Sequence, residues 1–167
     1  MMAWAPVSFG RSERGSLNQS GWGPATPAPV VLRYPHGVSI RAVTPYLVIK
    51  GAAAAIDWYG DVFGAVEITR WHDPDGRISH AEIRLGGVPI FLADEHPEFE
   101  HIVGPLTLGG SPVLLDLDVD DVDELFARAV AAGATPVRPP DHPTSGVQAA
   151  KIADPFGHIW LLTHEVG

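Results

Sequence analysis

Leu47-Val48-Ile49, a helical stretch and Gly64-Ala65 return later in the chain as Leu117-Asp118-Val119, a second helical stretch and Gly133-Ala134. An offset of about 70 residues carries the first unit onto the second with one residue of slip, which marks a duplicated module rather than shared composition. Two copies of one supersecondary unit constrain the architecture before any single residue is interpreted. They also direct the search for function to the space that the copies share.

In the first copy, Ala42 to Ile49 reads as a strand, and Ala52, Ile56, Tyr59 and Phe63 recur at helical spacing until Gly64 ends the run. Val66 to Trp71 is a second strand, Asp73-Pro74-Asp75-Gly76 supplies turn chemistry, and Ile78 to Leu85 with Val88 to Ala93 form a hairpin about Gly86-Gly87. The second copy repeats the order. Val113 to Val119 is a strand, and Asp121 with Glu124 three residues on resembles a capping box before the apolar series Val122, Leu125, Phe126, Ala129, Val130. Thr135 to Arg138 returns as a strand, and Val147 to Ala153 and His158 to Thr163 close a hairpin around Asp154-Pro155-Phe156-Gly157. The fold class that follows is α+β. Two βαβββ modules in tandem, about 41–95 and about 111–165, are expected to form a cup-shaped mixed sheet with helices on the outer faces, within one domain spanning 39–167.

Residues 1–38 are rich in Gly, Pro and Ser and lack periodicity, so a flexible extension is expected there; an arm docking through Trp4, Trp22 and Tyr34 is the alternative. That segment carries Arg11, Arg14 and Arg33 against Glu13, so the net charge of −9 is concentrated in the remainder. An acidic body repels phosphate backbones, which argues against nucleic acid as a partner and favours cationic small molecules. With no cysteine, disulfides and thiol catalysis are excluded, and no apolar run approaches membrane-spanning length. A cytoplasmic protein with no membrane partner is the expectation.

The ordered set of segments resembles the vicinal oxygen chelate superfamily, which includes glyoxalase I, extradiol dioxygenases and bleomycin-resistance proteins, with its nearest likeness to the PhnB-like branch. The residues that carry the resemblance are Thr44-Pro45-Tyr46-Leu47-Val48-Ile49, Ala53-Ala54-Ala55-Ile56-Asp57-Trp58-Tyr59, Ile78-Ser79-His80-Ala81-Glu82, Gly109-Gly110-Ser111-Pro112-Val113 and Asp154-Pro155-Phe156-Gly157-His158-Ile159-Trp160. The resemblance implies paired βαβββ modules, frequent homodimers and a concave ligand site. Its metal-dependent members take one ligand from the first and last strand of each module. Those positions fall here at Thr44, at Ile90 or Phe91, at Leu114 and at Leu161, and aliphatic side chains cannot ligate a divalent ion. No metal ligand and no cofactor are therefore expected, with a divalent ion at a displaced site as the alternative. PhnB-like relatives often carry an aromatic-Gly-Asp-Arg segment before the last hairpin; this chain reads Ser145-Gly146-Val147-Gln148, so Gln148 replaces a possible anion clamp.

Strand alternation sorts the candidates. If Leu47, Ile49, Leu117 and Val119 pack beneath helices, then Tyr46, Asp116 and Asp118 point the other way, and so do His80, Glu82 and Arg84. A histidine and a carboxylate two apart on one strand face suit general acid/base chemistry, making His80 and Glu82 the candidate catalytic residues; a plain Glu82–Arg84 ion pair is the structural alternative. Tyr46, Arg84, Phe91, Asp116, Asp118, Gln148 and Trp160 are the candidate ligand-binding residues. Trp71, Phe91 and Trp160 read first as core residues, with a ligand-stacking role as the alternative. The function expected is a homodimeric small-molecule-binding protein of the glyoxalase/bleomycin-resistance type, without the usual metal, sequestering a cationic or aromatic compound. The alternative is a lyase, isomerase or dioxygenase that uses His80 and Glu82 or a displaced metal.

Overall fold

A computed structural model describes residues 39–99, 102–144 and 146–167. The expected extension over 1–38 lies outside the described residues. The first module comprises β1 (Tyr46–Ile49), α1 (Ala52–Phe63), β2 (Val66–His72), β3 (Ile78–Leu85) and β4 (Val88–Asp94). A short helix α2 (Pro105–Leu108) lies in the linker, and β5 (Leu114–Asp118), α3 (Val122–Ala131), β6 (Thr135–Arg138), β7 (Gly146–Ala153) and β8 (Ile159–Val166) complete the second module. The strand order is β1-β4-β3-β2 in one sheet and β5-β8-β7-β6 in the other, the same topology twice. In each sheet the first strand runs parallel to the last and the other neighbours are antiparallel.

The cup-shaped mixed sheet expected from the sequence is not formed. The eight strands make two separate four-stranded sheets, and neither curls round to close. The two strands that a joined sheet would need to pair, β1 and β5, are both edge strands. Alternation of apolar residues reports which face of a strand is buried, and it carries no information on whether two sheets bend toward each other and join. β1 is also shorter than expected, beginning at Tyr46 rather than Ala42, after Pro45, which has no N–H to contribute to a ladder.

α1 forms where its sequence places Ala52, Ala55, Ile56, Tyr59 and Val62 on one buried face, and Gly64 in the left-handed conformation (φ 71°) ends it. The residue at its N-cap, Gly51, has no side chain to cap with. Asp94, at the end of β4, does so instead: Oδ1 accepts from the N–H groups of Gly51 and Ala52 (3.0 and 2.8 Å), and Oδ2 accepts from Ile78 N–H (2.7 Å). One carboxylate thereby fixes α1, β3 and β4 together. α3 carries its own cap, Asp121 accepting from Glu124 N–H at 2.8 Å.

The core lies on the helix side of both sheets and is continuous between modules, with Ile49, Tyr59, Ile83 and Leu92 from the first and Val122, Ile152, Trp160 and Leu162 from the second. Phe63 and Tyr59 meet Trp160 at ring-centroid distances of 4.9 and 5.5 Å. Asp154 is buried where the modules meet. It accepts from the Tyr59 hydroxyl (2.7 Å), Trp160 Nε1 (2.8 Å) and the N–H groups of Phe156 and His158 (both 2.9 Å). The linker is pinned by buried Glu95, which accepts from Gly104 N–H (3.1 Å) and the Thr107 hydroxyl (2.7 Å). Gly104 sits so close to β1 that a Cβ added there would lie 2.7 Å from the Val48 carbonyl oxygen. No described helix is long and apolar enough to cross a membrane.

Candidate functional site

The face of the first sheet turned away from α1 is built by strand register. Tyr46 lies beside Phe91 across β1 and β4, Phe91 lies opposite Glu82 across β4 and β3, and His80 lies opposite Trp71 across β3 and β2. Their neighbours Leu47, Leu92, Ala81 and Ile83 are buried on the helix side, so the alternation expected from the sequence holds on these strands.

His80 is at the centre of this face. Its Nδ1 is 3.1 Å from the Tyr46 hydroxyl, and its ring lies 5.7 Å from Tyr46, 5.0 Å from Phe91 and 5.1 Å from Trp71. Burial pushes the Tyr46 phenol up from its ordinary value, so it stays protonated near neutrality. With the phenol as donor, His80 Nδ1 is the acceptor in this contact. Glu82 is on the same face, but its hydrogen-bond partner among the described residues is Arg84, at a long 3.4 Å. The hydrogen bond on His80 is thus supplied by Tyr46, a partner in another strand that residue spacing could not reveal. Trp71 is 61% exposed and Tyr46 49%, so the aromatic surface around His80 is open.

On the second sheet, Leu114, Asp116 and Asp118 are exposed and alternate with half-buried Leu115 and Leu117. Asp116 accepts from the Thr163 hydroxyl at 2.9 Å. Asp116 and Asp118, with Asp120, Asp121 and Glu124, line a cleft of about 550 Å³. Phe63, Leu85 and Val88 of the first module form its apolar wall. The cleft falls in the size range of small-molecule sites.

Two candidate ligand residues lie elsewhere. Trp160 is 1% exposed and donates to Asp154, sealed in the core against Tyr59 and Phe63. Gln148 shares the parity of Ala150 and Ile152, which points it to the helix side, where its amide donates to Asp123 of α3 at 2.9 Å. In both cases the strand's alternation sends the side chain toward the helix. Trp71, read first as a core residue by sequence, is on the open face instead.

The positions where the resemblance implies metal ligands hold Thr44, Ile90 or Phe91, Leu114 and Leu161. The register puts Phe91, not buried Ile90, beside Tyr46 on the open face. These donors do not fit a divalent ion, and among the described residues no group of three or more His, Asp or Glu side chains is placed to hold one.

Residues 39–162 match the family model described as the Glyoxalase/Bleomycin resistance protein/Dioxygenase superfamily. The chain is 42% identical over 127 residues to the uncharacterized protein Mb0911c of Mycobacterium bovis, covering 75% of this chain and 84% of the relative. Among solved structures it is similar to TioX from Micromonospora sp. ML1, with 28% identity, a TM-score of 0.55 and coverage of 75% of this chain and 97% of that one. It shares the fold of a PhnB protein from Bacillus cereus, described as a putative 3-demethylubiquinone-9 3-methyltransferase, with 18% identity, a TM-score of 0.56 and coverage of 74% and 99%. By duplicated topology, by sequence and by structural likeness, the chain belongs to the glyoxalase/bleomycin resistance protein/dioxygenase superfamily.

Proposed function

We propose that this protein binds a small planar or cationic compound without a metal, holding it against the open aromatic face around His80. The observation that carries this reading is the cluster of Tyr46, Trp71, His80 and Phe91, whose rings lie 5–6 Å apart on a sheet face and remain partly open to solvent. Aromatic faces attract cations and stack planar rings, at about 0.5–2 kcal/mol per contact. The net charge of −9 favours cations further. The apolar residues Leu114 and Val147, left exposed on the second sheet, support a homodimer in which a second chain covers them. The absence of cysteine from the sequence suits a cytoplasmic location.

Calorimetric titration with proflavine as planar cation, tetraphenylphosphonium as bulky cation and 2-naphthalenesulfonate as planar anion tests this. Proflavine is expected to bind, and Trp71→Ala to weaken it about tenfold, in line with about 1.4 kcal/mol from one aromatic contact. Binding of the sulfonate alone would overturn the reading.

The 3.1 Å contact between Tyr46 and His80 supports a second reading, proton transfer by His80 as a lyase or isomerase would use it. On that reading His80→Ala abolishes turnover and Tyr46→Phe lowers it, whereas Glu82→Gln has the smaller effect. Turnover that depends on an added divalent ion and survives His80→Ala would point to a displaced metal site instead.

A further inference from the structure

Strand register sets Glu82 between Thr69 of β2 and Phe91 of β4, and its own strand places His80 and Arg84 two residues to either side on the same open face. The Glu82 side chain is 21% exposed, so its carboxylate is largely withdrawn from water. Yet its one hydrogen bond among the described residues is the 3.4 Å contact from Arg84 to Oε1, and Oε2 accepts none from them. The Tyr46 hydroxyl, the nearest phenol on this face, is committed to His80 at 3.1 Å.

A carboxylate drawn out of water among aromatic rings is stabilised by charge-assisted hydrogen bonds of about 2.7–2.9 Å, and a single contact at 3.4 Å supplies little of that. Arg84 is itself 51% exposed, and an ion pair so open to solvent is weak, so a better donor can displace it. An amidinium or a protonated amino-heteroaromatic group is such a donor. Its paired N–H groups match the two carboxylate oxygens, and its ring can stack on the adjoining aromatic side chains. A quaternary ammonium carries the same charge without an N–H, and gains only the rings.

We propose that Glu82 selects the ligand of the open aromatic face: a planar cation whose charge is carried on N–H groups, which pair with the Glu82 carboxylate as Arg84 turns away. This rests on the reading of the face around His80 as the binding site, and it adds the chemical class of the cationic group and the residue that recognises it.

The test is titration of the full-length ¹⁵N-labelled chain with benzamidinium and with phenyltrimethylammonium, each a single ring with a single positive charge, followed by the amide shifts of His80 and Phe91. Benzamidinium is expected to bind about tenfold more tightly. Glu82→Gln, which keeps the size of the side chain, should bring the two ligands to equal affinity, chiefly by weakening benzamidinium. Arg84→Ala should tighten benzamidinium about threefold, because it removes the competing donor. Asp118→Asn, in the cleft of the second sheet, should change neither ligand, and Trp71→Ala should weaken both alike. Equal binding of the two cations to the unaltered chain, with Trp71→Ala still effective, would overturn the role of Glu82 and leave the aromatic face as a binding site. Binding of neither cation, or indifference to Trp71→Ala, would overturn both readings. Weaker benzamidinium binding in Arg84→Ala, or a loss in Asp118→Asn that Glu82→Gln does not share, would also overturn the proposal. The affinity ratio on the unaltered chain and the Arg84→Ala variant keep the test decisive even if Glu82→Gln folds poorly.

Discussion

Tyr59→Phe removes one oxygen atom from the place where the two modules meet. Tyr59 is fully buried and its hydroxyl donates to Asp154 Oδ2 at 2.7 Å; Asp154 itself is 4% exposed. Burial, then the charge of Asp154, pushes the Tyr59 phenol well above its ordinary value, so it remains a donor throughout the range in which the protein is handled. The carboxylate keeps three other donors: Trp160 Nε1 and the N–H groups of Phe156 and His158. The substitution therefore deletes one charge-assisted hydrogen bond without leaving the carboxylate bare, and it leaves almost no cavity. Hydrogen bonds to charged groups contribute about 1.5–3 kcal/mol, which places the expected loss near 2 kcal/mol. For a domain of this size that corresponds to a fall in Tm of roughly 5–10 °C. Urea unfolding followed by circular dichroism and tryptophan fluorescence measures it. Trp160→Phe deletes the other side-chain donor to the same oxygen, and the double variant should lose more than the sum of the singles, because the second deletion leaves Oδ2 with no donor at all. A loss below about 0.5 kcal/mol for Tyr59→Phe, or strict additivity in the double variant, would refute the idea that this carboxylate holds the modules together.

Gly104→Ala places a methyl group 2.7 Å from the Val48 carbonyl oxygen, a backbone atom that cannot rotate away, so a loss of about 1–3 kcal/mol is expected in the same unfolding assay. The lowered pKa of His158 has a defined sign: the folded protein binds fewer protons at this site than the unfolded chain does, so its contribution is complete above the unfolded value of 6.5 and is lost as pH falls below it. Stability measured between pH 7.5 and 5 should therefore decline, and the decline should be shallower in His158→Phe; equal slopes would contradict this.

The helices were legible because each presents an apolar stripe at helical spacing, from Ala52 to Phe63 and from Val122 to Val130, and each ends at or close to a glycine that turns the chain. The strand face of β3 was legible for a similar reason: Ala81 and Ile83 alternate with His80, Glu82 and Arg84. In β7 the small residues Ala149 and Ala150 adjoin, and both are buried, so the parity of Gln148 could not be read from apolarity alone. Trp160 carries an indole N–H that suits a ligand as well as a core, and only the neighbouring Asp154 decides between them. Contacts between strands far apart in sequence left no trace in spacing. The Tyr46–His80 pair spans 34 residues, and the Asp94 cap on α1 spans 42–43. The joined, curved sheet was an inference from symmetry, and symmetry of topology does not require hydrogen bonds between the copies.

The junction between the copies also bears on their independence. Tyr59 reaches from the first half to Asp154 in the second, and Trp58 of the first half donates to the Ala132 carbonyl of the second. In the repeat register, the place of Tyr59 in the second half falls at Arg128 or Ala129, neither of which has a hydroxyl to reach back with. Key and lock have been divided between the two halves, so two first halves or two second halves could not reproduce the seam that one of each makes. The seam therefore depends on the two halves being different, so neither half can stand in for the other.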